Sequence, residues 1–303
     1  MTKTPAPQNR VSVILPAKNE ADSVASVIHA IQTHLSAHEI LVVDDGSSDE
    51  TGSIAANAGA RVLSRPYSMG NGAAVKLGAR HAEGEIFVFM DADGQHDPAD
   101  IQVLLDIMER DGMDMVIGAR RSASQANIGR GMANALYNRL ATYMTGHAIP
   151  DLTSGFRAVR AAPFRKFLYL LPNGFSYPTT ITMAFFRAGY TVEYVPITAR
   201  QRSGRSHIRP IRDGLRFLLI IFKVATLYSP LKIFAPASGG MFLLGLAYYA
   251  FTYISQGRFT NMSALLLTTA VLAFLIGLVS EQITQLMYKD TDQNSIHTVD
   301  NDH

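Results

Sequence analysis

A three-layer α/β domain with a largely parallel sheet, followed by a hairpin of two membrane-spanning helices, is the architecture that three features of this 303-residue chain predict. Short apolar runs alternate with amphipathic stretches from Val11 to Ile197, the pattern of strands buried on both faces and covered by helices. Two of those runs end in paired carboxylates, Asp44-Asp45 and Asp91-Ala92-Asp93, at the strand edge where open α/β sheets bind their ligands. Farther on, residues 233–254 and 261–280 carry no charge over 22 and 20 positions, each enough to cross a hydrocarbon core.

Taken in order, residues 11–15 form a first strand that closes at Pro16. Asn19 or a neighbour then caps a helix with Val24, Val27, Ile28 and Ile31 on one face. His34 and His38 have metal spacing but no third ligand nearby, and with His29 they are read as solvated surface. Residues 40–43 form the second strand. Ser47 and Glu50 after it have capping-box spacing for a helix holding Ile54 and Ala55, which leaves Asp44 and Asp45, ahead of the cap, without that structural duty. Residues 61–63 give a third strand, and Gly70-Asn71-Gly72 opens a helix through Arg80. That Gly-x-Gly is separated from its strand by residues 65–69, so a tight turn explains it better than a dinucleotide fingerprint.

Residues 86–90 are too short a run for a helix and suit a buried strand. Asp91 and Asp93 follow at i and i+2, so in extended chain they leave the same face. Two hard oxygen ligands at a strand end suit Mg²⁺ or Mn²⁺, ions that keep positions open for water and a ligand's phosphates, and Gln95 offers a third oxygen. Asp97-Pro98 starts the next helix. Residues 114–118 form another strand before Arg120 and Arg121. A helix over 126–146, a helix introduced by residues 173–180 and running through Ala188, and a strand over 191–197 complete the domain.

Composition bounds the chemistry. There is no cysteine, hence no disulfide or thiolate metal site, and no Walker sequence for a P-loop NTPase. The first ten residues are polar and predict no signal peptide, which places the first domain in the cytoplasm. Between positions 196 and 232 there are eight Lys or Arg and one acid, a net +7 that leaves the rest of the chain at −5. Such a segment meets phosphates or an anionic lipid surface; no nucleic-acid partner is expected. Arg212, Arg216 and Lys223 among apolar neighbours predict a helix lying in the membrane interface. The basic residues before the first span put both ends of the hairpin in the cytoplasm. The expected organisation is a catalytic domain over 1–208, an interfacial helix over 209–229, a transmembrane hairpin over 230–289 and a polar tail over 290–303.

The motifs Leu15-Pro16-Ala17-Lys18-Asn19-Glu20, Val43-Asp44-Asp45-Gly46-Ser47-Ser48-Asp49, Asp91-Ala92-Asp93-Gly94-Gln95-His96, Gly118-Ala119-Arg120, Ser154-Gly155-Phe156-Arg157 and Arg202-Ser203-Gly204-Arg205-Ser206-His207 are individually weak. In this joint order they resemble family 2 glycosyltransferases, in particular the membrane-anchored branch with dolichyl-phosphate mannose synthase and bacterial polyprenyl-phosphate glycosyltransferases. The resemblance implies a GT-A type, Rossmann-like catalytic domain. It implies that Pro16, Ala17, Glu20 and Asp91 line a nucleotide pocket and that Asp45 bonds the base. Asp91, Asp93 and Gln95 would hold Mg²⁺ or Mn²⁺ on the diphosphate, with Asp93 and Arg157 central to catalysis, and Arg120, Ser154, Arg157 and Arg202 would bind phosphates of donor or acceptor. His207 stands where many relatives have Lys, and residues 177–183 contain no acid where some place a base.

That missing acid has a physical meaning. A sugar hydroxyl needs a general base as it attacks, whereas a phosphate monoester carries nearly two charges at neutral pH and attacks unaided. The implied reaction is metal-dependent, inverting transfer from a UDP- or GDP-sugar to an undecaprenyl or dolichyl phosphate, at a membrane lipid surface and with room for a homo-oligomer. Asp151, beside the acceptor motif, orients the acceptor or simply forms a turn. Transfer to a lipid or glycan hydroxyl is the main rival; a membrane-tethered nucleotide-sugar scaffold is a weaker one. A processive polysaccharide synthase would carry Gln-x-x-Arg-Trp, and this chain has no Trp.

Overall fold

The computed structural model of the chain describes residues 10–120, 128–174, 176–198, 222 and 226–292. It forms two compact units, Met1–Ile208 and Arg209–His303.

The first unit is built on one seven-stranded sheet. In chain order its strands are β1 (Val11–Ala17), β2 (Glu39–Asp44), β3 (Arg61–Ser64), β4 (Ile86–Phe89), β5 (Met115–Arg120), β6 (Arg157–Arg160) and β7 (Val192–Ile197). They lie side by side as β3-β2-β1-β4-β6-β5-β7. All pairings are parallel except those of β6, which runs antiparallel to β4 and β5. The interleaved helices are α1 (Val24–His34), α2 (Thr51–Asn57), α3 (Asn71–His81), α4 (Asp100–Arg110), α5 (Ile128–Thr145), α6 (Ala161–Lys166) and α7 (Tyr177–Arg187).

Apolar spacing decides which helix faces reach the sheet. α1 buries Val24, Val27, Ile28 and Ile31, as expected, and α4 buries Ile101, Leu104, Leu105 and Met108 at the same i, i+3, i+4, i+7 spacing. These stripes join Val13, Leu15, Val42, Val88 and Val116 in one core, each large side chain contributing on the order of 1.5–3 kcal/mol. β1 continues two residues beyond the expected stop. Met90 N donates to Ile14 O, so Ile14 and, two residues on, Pro16 turn their backbone toward β4; the β1–β4 ladder ends at Ile14 and Phe89, so the N–H that Pro16 lacks has no ladder partner to lose.

Two expected caps are replaced. Asn19 does not cap α1, which begins after Ser23. It holds a left-handed φ of 55° and its Oδ1 accepts from Ser48 N at 2.8 Å. The Ser47/Glu50 capping box does not form either: Ser47 Oγ accepts from Asn19 N, and Asp49 Oδ1 accepts from Thr51 N at 3.1 Å. The polar groups meant for helix ends thus tie the loop after β1 to the loop after β2. Asp97 does accept from Ala99 N at 3.1 Å, with the helix proper starting at Asp100.

In the second unit, α8 (Leu231–Gln256) and α9 (Asn261–Asp292) are long and apolar enough to cross a membrane, the latter over Asn261–Tyr288. Their large apolar side chains point outward, Ile254 being 85 % and Leu243 67 % exposed, the inverse of a globular core. Gly257, at φ 62°, closes α8 with its N–H on Tyr253 O. α9 runs past the expected end of the hairpin to Asp292. Glu281 Oε2 accepts from Leu231 N at 3.2 Å and from Ser229 Oγ at 3.3 Å, so a carboxylate of α9 caps the start of α8. Glu281→Ala is expected to cost about 1 kcal/mol through that lost cap, read as a lower melting temperature of the full chain in detergent. The interfacial helix over 209–229 falls almost wholly outside the described residues, including Arg212, Arg216 and Lys223; Thr226–Tyr228, at its end, are helical.

Candidate active site

β1 connects outward to β2 on one side and borders β4 on the other, so the carboxyl ends of β1 and β4 mark the switch point where an open α/β sheet leaves a crevice. A cavity of about 430 Å³ opens there. Pro16, Ala17, Lys18 and Glu20 line it from the end of β1, Asp45 from β2, and Asp91, Ala92 and Asp93 from β4. Ser68, Gly70, Asn71 and Ala74 contribute from the start of α3; Thr153, Gly155, Tyr177 and Pro178 form the remaining wall. The expected nucleotide residues Pro16, Ala17, Glu20, Asp45 and Asp91 therefore share one cavity. Lys18 and Asn71 lay within quoted motifs without an assigned role, and Tyr177 carried no sequence signal beyond its place before Pro178.

Asp45 is 3 % exposed and already rich in donors. Its carboxylate accepts from Ser68 Oγ at 2.7 Å, Gly70 N at 2.8 Å, Met69 N at 3.0 Å and Arg65 Nη1 at 3.4 Å. Burial raises its pKa, but the donors from Met69, Ser68 and Gly70 and the Arg65 charge outweigh burial and hold it below the ordinary carboxylate range. Asp45 thereby anchors residues 65–70 over the sheet edge. Gly46, at φ 69°, permits this, because a Cβ there would lie 2.5 Å from the Tyr67 carbonyl carbon.

The Gly-x-Gly of α3 serves packing. Asn173 O and Gly174 O accept from Ala73 N and Gly72 N, so the helix N-terminus is filled by carbonyls of the chain itself. A Cβ on Gly70 would sit 2.5 Å from Asn173 O, and one on Gly72 would collide with Pro172 O. Gly72→Ala is expected to displace residues 172–174 and cost about 1–3 kcal/mol through overpacking against backbone, with weaker nucleotide binding as the start of α3 shifts; thermal unfolding and calorimetric titration check both.

The acidic pair lies side by side on the cavity wall. Asp91 is pushed up to about 6, by burial first and by the Asp93 charge second, against the pull of Asn71 and Arg120. Asp93 accepts from Gln95 N at 3.1 Å and Gln95 Nε2 at 2.8 Å, so Gln95 braces Asp93 with its amide nitrogen. Behind them His96 stacks on Phe156 at 5.0 Å and is pushed down to about 4, chiefly by burial, which keeps it neutral. Among the described lining residues the charges are four carboxylates, Glu20, Asp45, Asp91 and Asp93, against the ammonium of Lys18. Among the described residues no three His, Asp or Glu converge on one point.

The residues expected on phosphates behave differently. Arg120 donates from Nε and Nη2 to Asp151 at 2.8 and 3.1 Å and from Nη2 to Thr153 Oγ1 at 2.7 Å. Asp151 is buried, which raises its pKa, but the Arg120 fork and Thr153 outweigh this and hold it below the ordinary range; as placed, it is a poor proton acceptor and a good brace for Arg120. Ser154 is 1 % exposed and donates to Gly118 O at 2.6 Å. Arg157 is fully buried in β6 and, like Arg120 and Ser154, is not among the residues that line the cavity: as a residue paired with both Phe89 and Ile117 it points its guanidinium under α7. Arg202 lies outside the described residues.

Comparison with known proteins agrees with this geometry. Residues 12–168 match the glycosyl transferase family 2 model, and residues 229–286 match the GtrB C-terminal hairpin. Glycosyltransferase AglJ of Haloferax volcanii is 28 % identical over 91 % of this chain and 94 % of its own. An undecaprenyl-phosphate 4-deoxy-4-formamido-L-arabinose transferase of Pseudomonas savastanoi pv. phaseolicola is 28 % identical over 94 % of this chain and 88 % of its own. Among solved structures, glucosyl-3-phosphoglycerate synthase of Mycobacterium tuberculosis, in complex with Mn²⁺, UDP and phosphoglyceric acid, superposes with a TM-score of 0.58 at 24 % identity, over 72 % of this chain and 79 % of that one. That likeness speaks for the GT-A fold. With the family model covering just over half the chain, from β1 through the carboxylate pair into α6, this protein is a glycosyltransferase and belongs to glycosyl transferase family 2.

Proposed function

We propose that the protein transfers a sugar from a UDP- or GDP-sugar to a polyprenyl phosphate, with inversion at the anomeric carbon and with Mg²⁺ or Mn²⁺. The observation that carries this reading is the state of Asp151: the carboxylate next in sequence to Ser154-Gly155-Phe156-Arg157 is locked on Arg120, which favours a nucleophile that needs no base. A phosphate monoester is such a nucleophile. The relative that acts on undecaprenyl phosphate, and the hairpin that suits a lipid acceptor, support the same reading.

The nucleotide lies along Pro16, Ala17 and Glu20, with Asp45 fixing the loop that borders it. Asp91 and Asp93 would hold a divalent cation, which would neutralise charge on the departing nucleoside diphosphate. Arg120, held by Asp151 beside Thr153, is assigned to the acceptor phosphate in this reading. Arg200 and Arg202 lie outside the described residues. Attack from the face opposite the leaving group turns an α-linked donor into a β-linked lipid phosphate sugar. The catalytic unit and both chain ends are cytoplasmic in this reading.

The test is to incubate the purified chain with polyprenyl phosphate and a panel of UDP- and GDP-sugars, with and without Mg²⁺ or Mn²⁺, and to determine the anomeric configuration of the product. Metal-dependent formation of a β-linked product from one α-linked donor is expected. An α-linked product, or no product with any donor, overturns the proposal.

A further inference from the structure

Among the described residues Arg157 is the largest fully buried side chain, and no salt bridge joins its guanidinium to a carboxylate. Its two terminal nitrogens reach different segments. Nη2 donates to Ser154 O. Nη1 donates to Thr182 Oγ1 at 3.0 Å and to Pro178 O at 3.3 Å, and Thr182 Oγ1 itself donates to Pro178 O at 2.8 Å. The guanidinium also lies 6.0 Å from the centre of the Tyr177 ring.

The two segments so tied are the cavity wall opposite the end of β2. Ser154 is held inward twice, by its carbonyl on Arg157 and by its hydroxyl on Gly118 O. Its neighbours Thr153 and Gly155 are the residues that face the cavity. On the other segment Pro178 and Tyr177 face the cavity, while Pro178 O and Thr182 turn to Arg157. The wall is close-set: a Cβ on Gly155 would lie 3.4 Å from the Tyr177 hydroxyl and 3.6 Å from Asp91 Oδ2.

We propose that Arg157 is a positioning residue: it clamps the loop Asp151–Gly155 to the first turn of α7 and so sets the acceptor-side wall of the cavity without touching either substrate. This inference rests on the proposed function, since it assigns that wall to the acceptor. Arginine is required because its planar fork serves two segments at once; an ammonium is a single point and satisfies one of them. The nucleotide side, built from β1, β2 and the start of α3, is fixed by Asp45 and the loop contacts of Asn19 and stays in place when the clamp is loosened.

The experiment compares wild type, Arg157→Lys and Thr182→Val as full chains in detergent. It reads UDP and GDP affinity by calorimetry, KM and kcat for polyprenyl phosphate, and the melting temperature. The expected result for Arg157→Lys is nucleotide affinity within about twofold of wild type and a loss of tenfold or more in kcat/KM for the acceptor. Thr182→Val, which removes one hydroxyl and no charge, is expected to shift the acceptor parameters in the same direction by a smaller factor at near-wild-type melting temperature. Should Arg157→Lys fail to fold, Thr182→Val decides. Nucleotide affinity and acceptor kinetics falling together, or acceptor kinetics unchanged in the variant that folds, overturn the clamp while leaving the proposed function standing. A wild type that transfers no sugar to polyprenyl phosphate overturns the proposed function, and this inference with it.

Discussion

Asp93→Asn is expected to lower sugar transfer by on the order of a hundredfold or more while the protein stays folded. The carboxylate is part of a wall with four acids and one lysine, and its charge is what a cation would pair with. Losing metal-based neutralisation of a leaving diphosphate removes several kcal/mol of transition-state stabilisation, and each 1.4 kcal/mol or so is about a factor of ten in rate. The fold is spared because Asn keeps the shape of Asp and an oxygen for the Gln95 N–H. Initial rates at saturating Mn²⁺, beside a thermal melt of the same preparation, make the comparison. Wild-type turnover in the variant, or full wild-type activity in EDTA, would refute the metal assignment.

Dephosphorylated polyprenol is expected to be inert, or nearly so, under conditions where polyprenyl phosphate is glycosylated, and diacylglycerol likewise. A hydroxyl must give up its proton as it attacks, and general bases contribute roughly 10²–10⁴-fold to such steps. Asp151 does not offer that help, being held below the ordinary carboxylate range and engaged with Arg120 and Thr153. The pH profile separates the phosphate from Asp151 acting as base, while Asp91, pushed up to about 6, titrates alongside the phosphate, so the acceptor panel is the deciding measurement. With a phosphate nucleophile the rate rises through the second ionisation of the monoester, near 6, and levels above it. A limb set by Asp151 would instead lie below the usual carboxylate range, because a depressed pKa keeps that group charged down to lower pH. Product from either alcohol at a rate comparable to the phosphate would move the protein to the hydroxyl-glycosylating class.

Much of the cavity lining was legible in the chain because strand-end motifs keep their position whatever surrounds them. Pro16, Ala17, Glu20, Asp45 and the Asp91/Asp93 pair follow buried apolar runs directly, and parallel strands deliver their ends to one edge. The two membrane helices were equally plain, since length without charge is a signal no tertiary contact can erase. What escaped was set by long-range partners. β6 has four residues, two of them arginines, and becomes a strand only between β4 and β5. The burial of Ser154 and Arg157 was not legible either: the β6 ladder turns Arg157 inward, and Ser154 is held by its hydroxyl on Gly118 O. Ser47 and Asn19 have capping chemistry, but each found a closer backbone partner across the β1–β2 loops.

The antiparallel course of β6 sets the direction from which the chain enters the crevice. The loops after β1, β2 and β4 reach the crevice on their way out of the sheet, whereas the loop before β6 reaches it on the way in. The stretch from the end of β5 to the start of β6, residues 121–156, is thus an excursion that leaves the sheet and re-enters it two strands from β1, beside the strand that bears Asp91. On the proposed function, the acceptor-side wall is therefore delivered by a segment joined to the sheet at two neighbouring strands, β5 and β6, apart from the loops that follow β1 and β2.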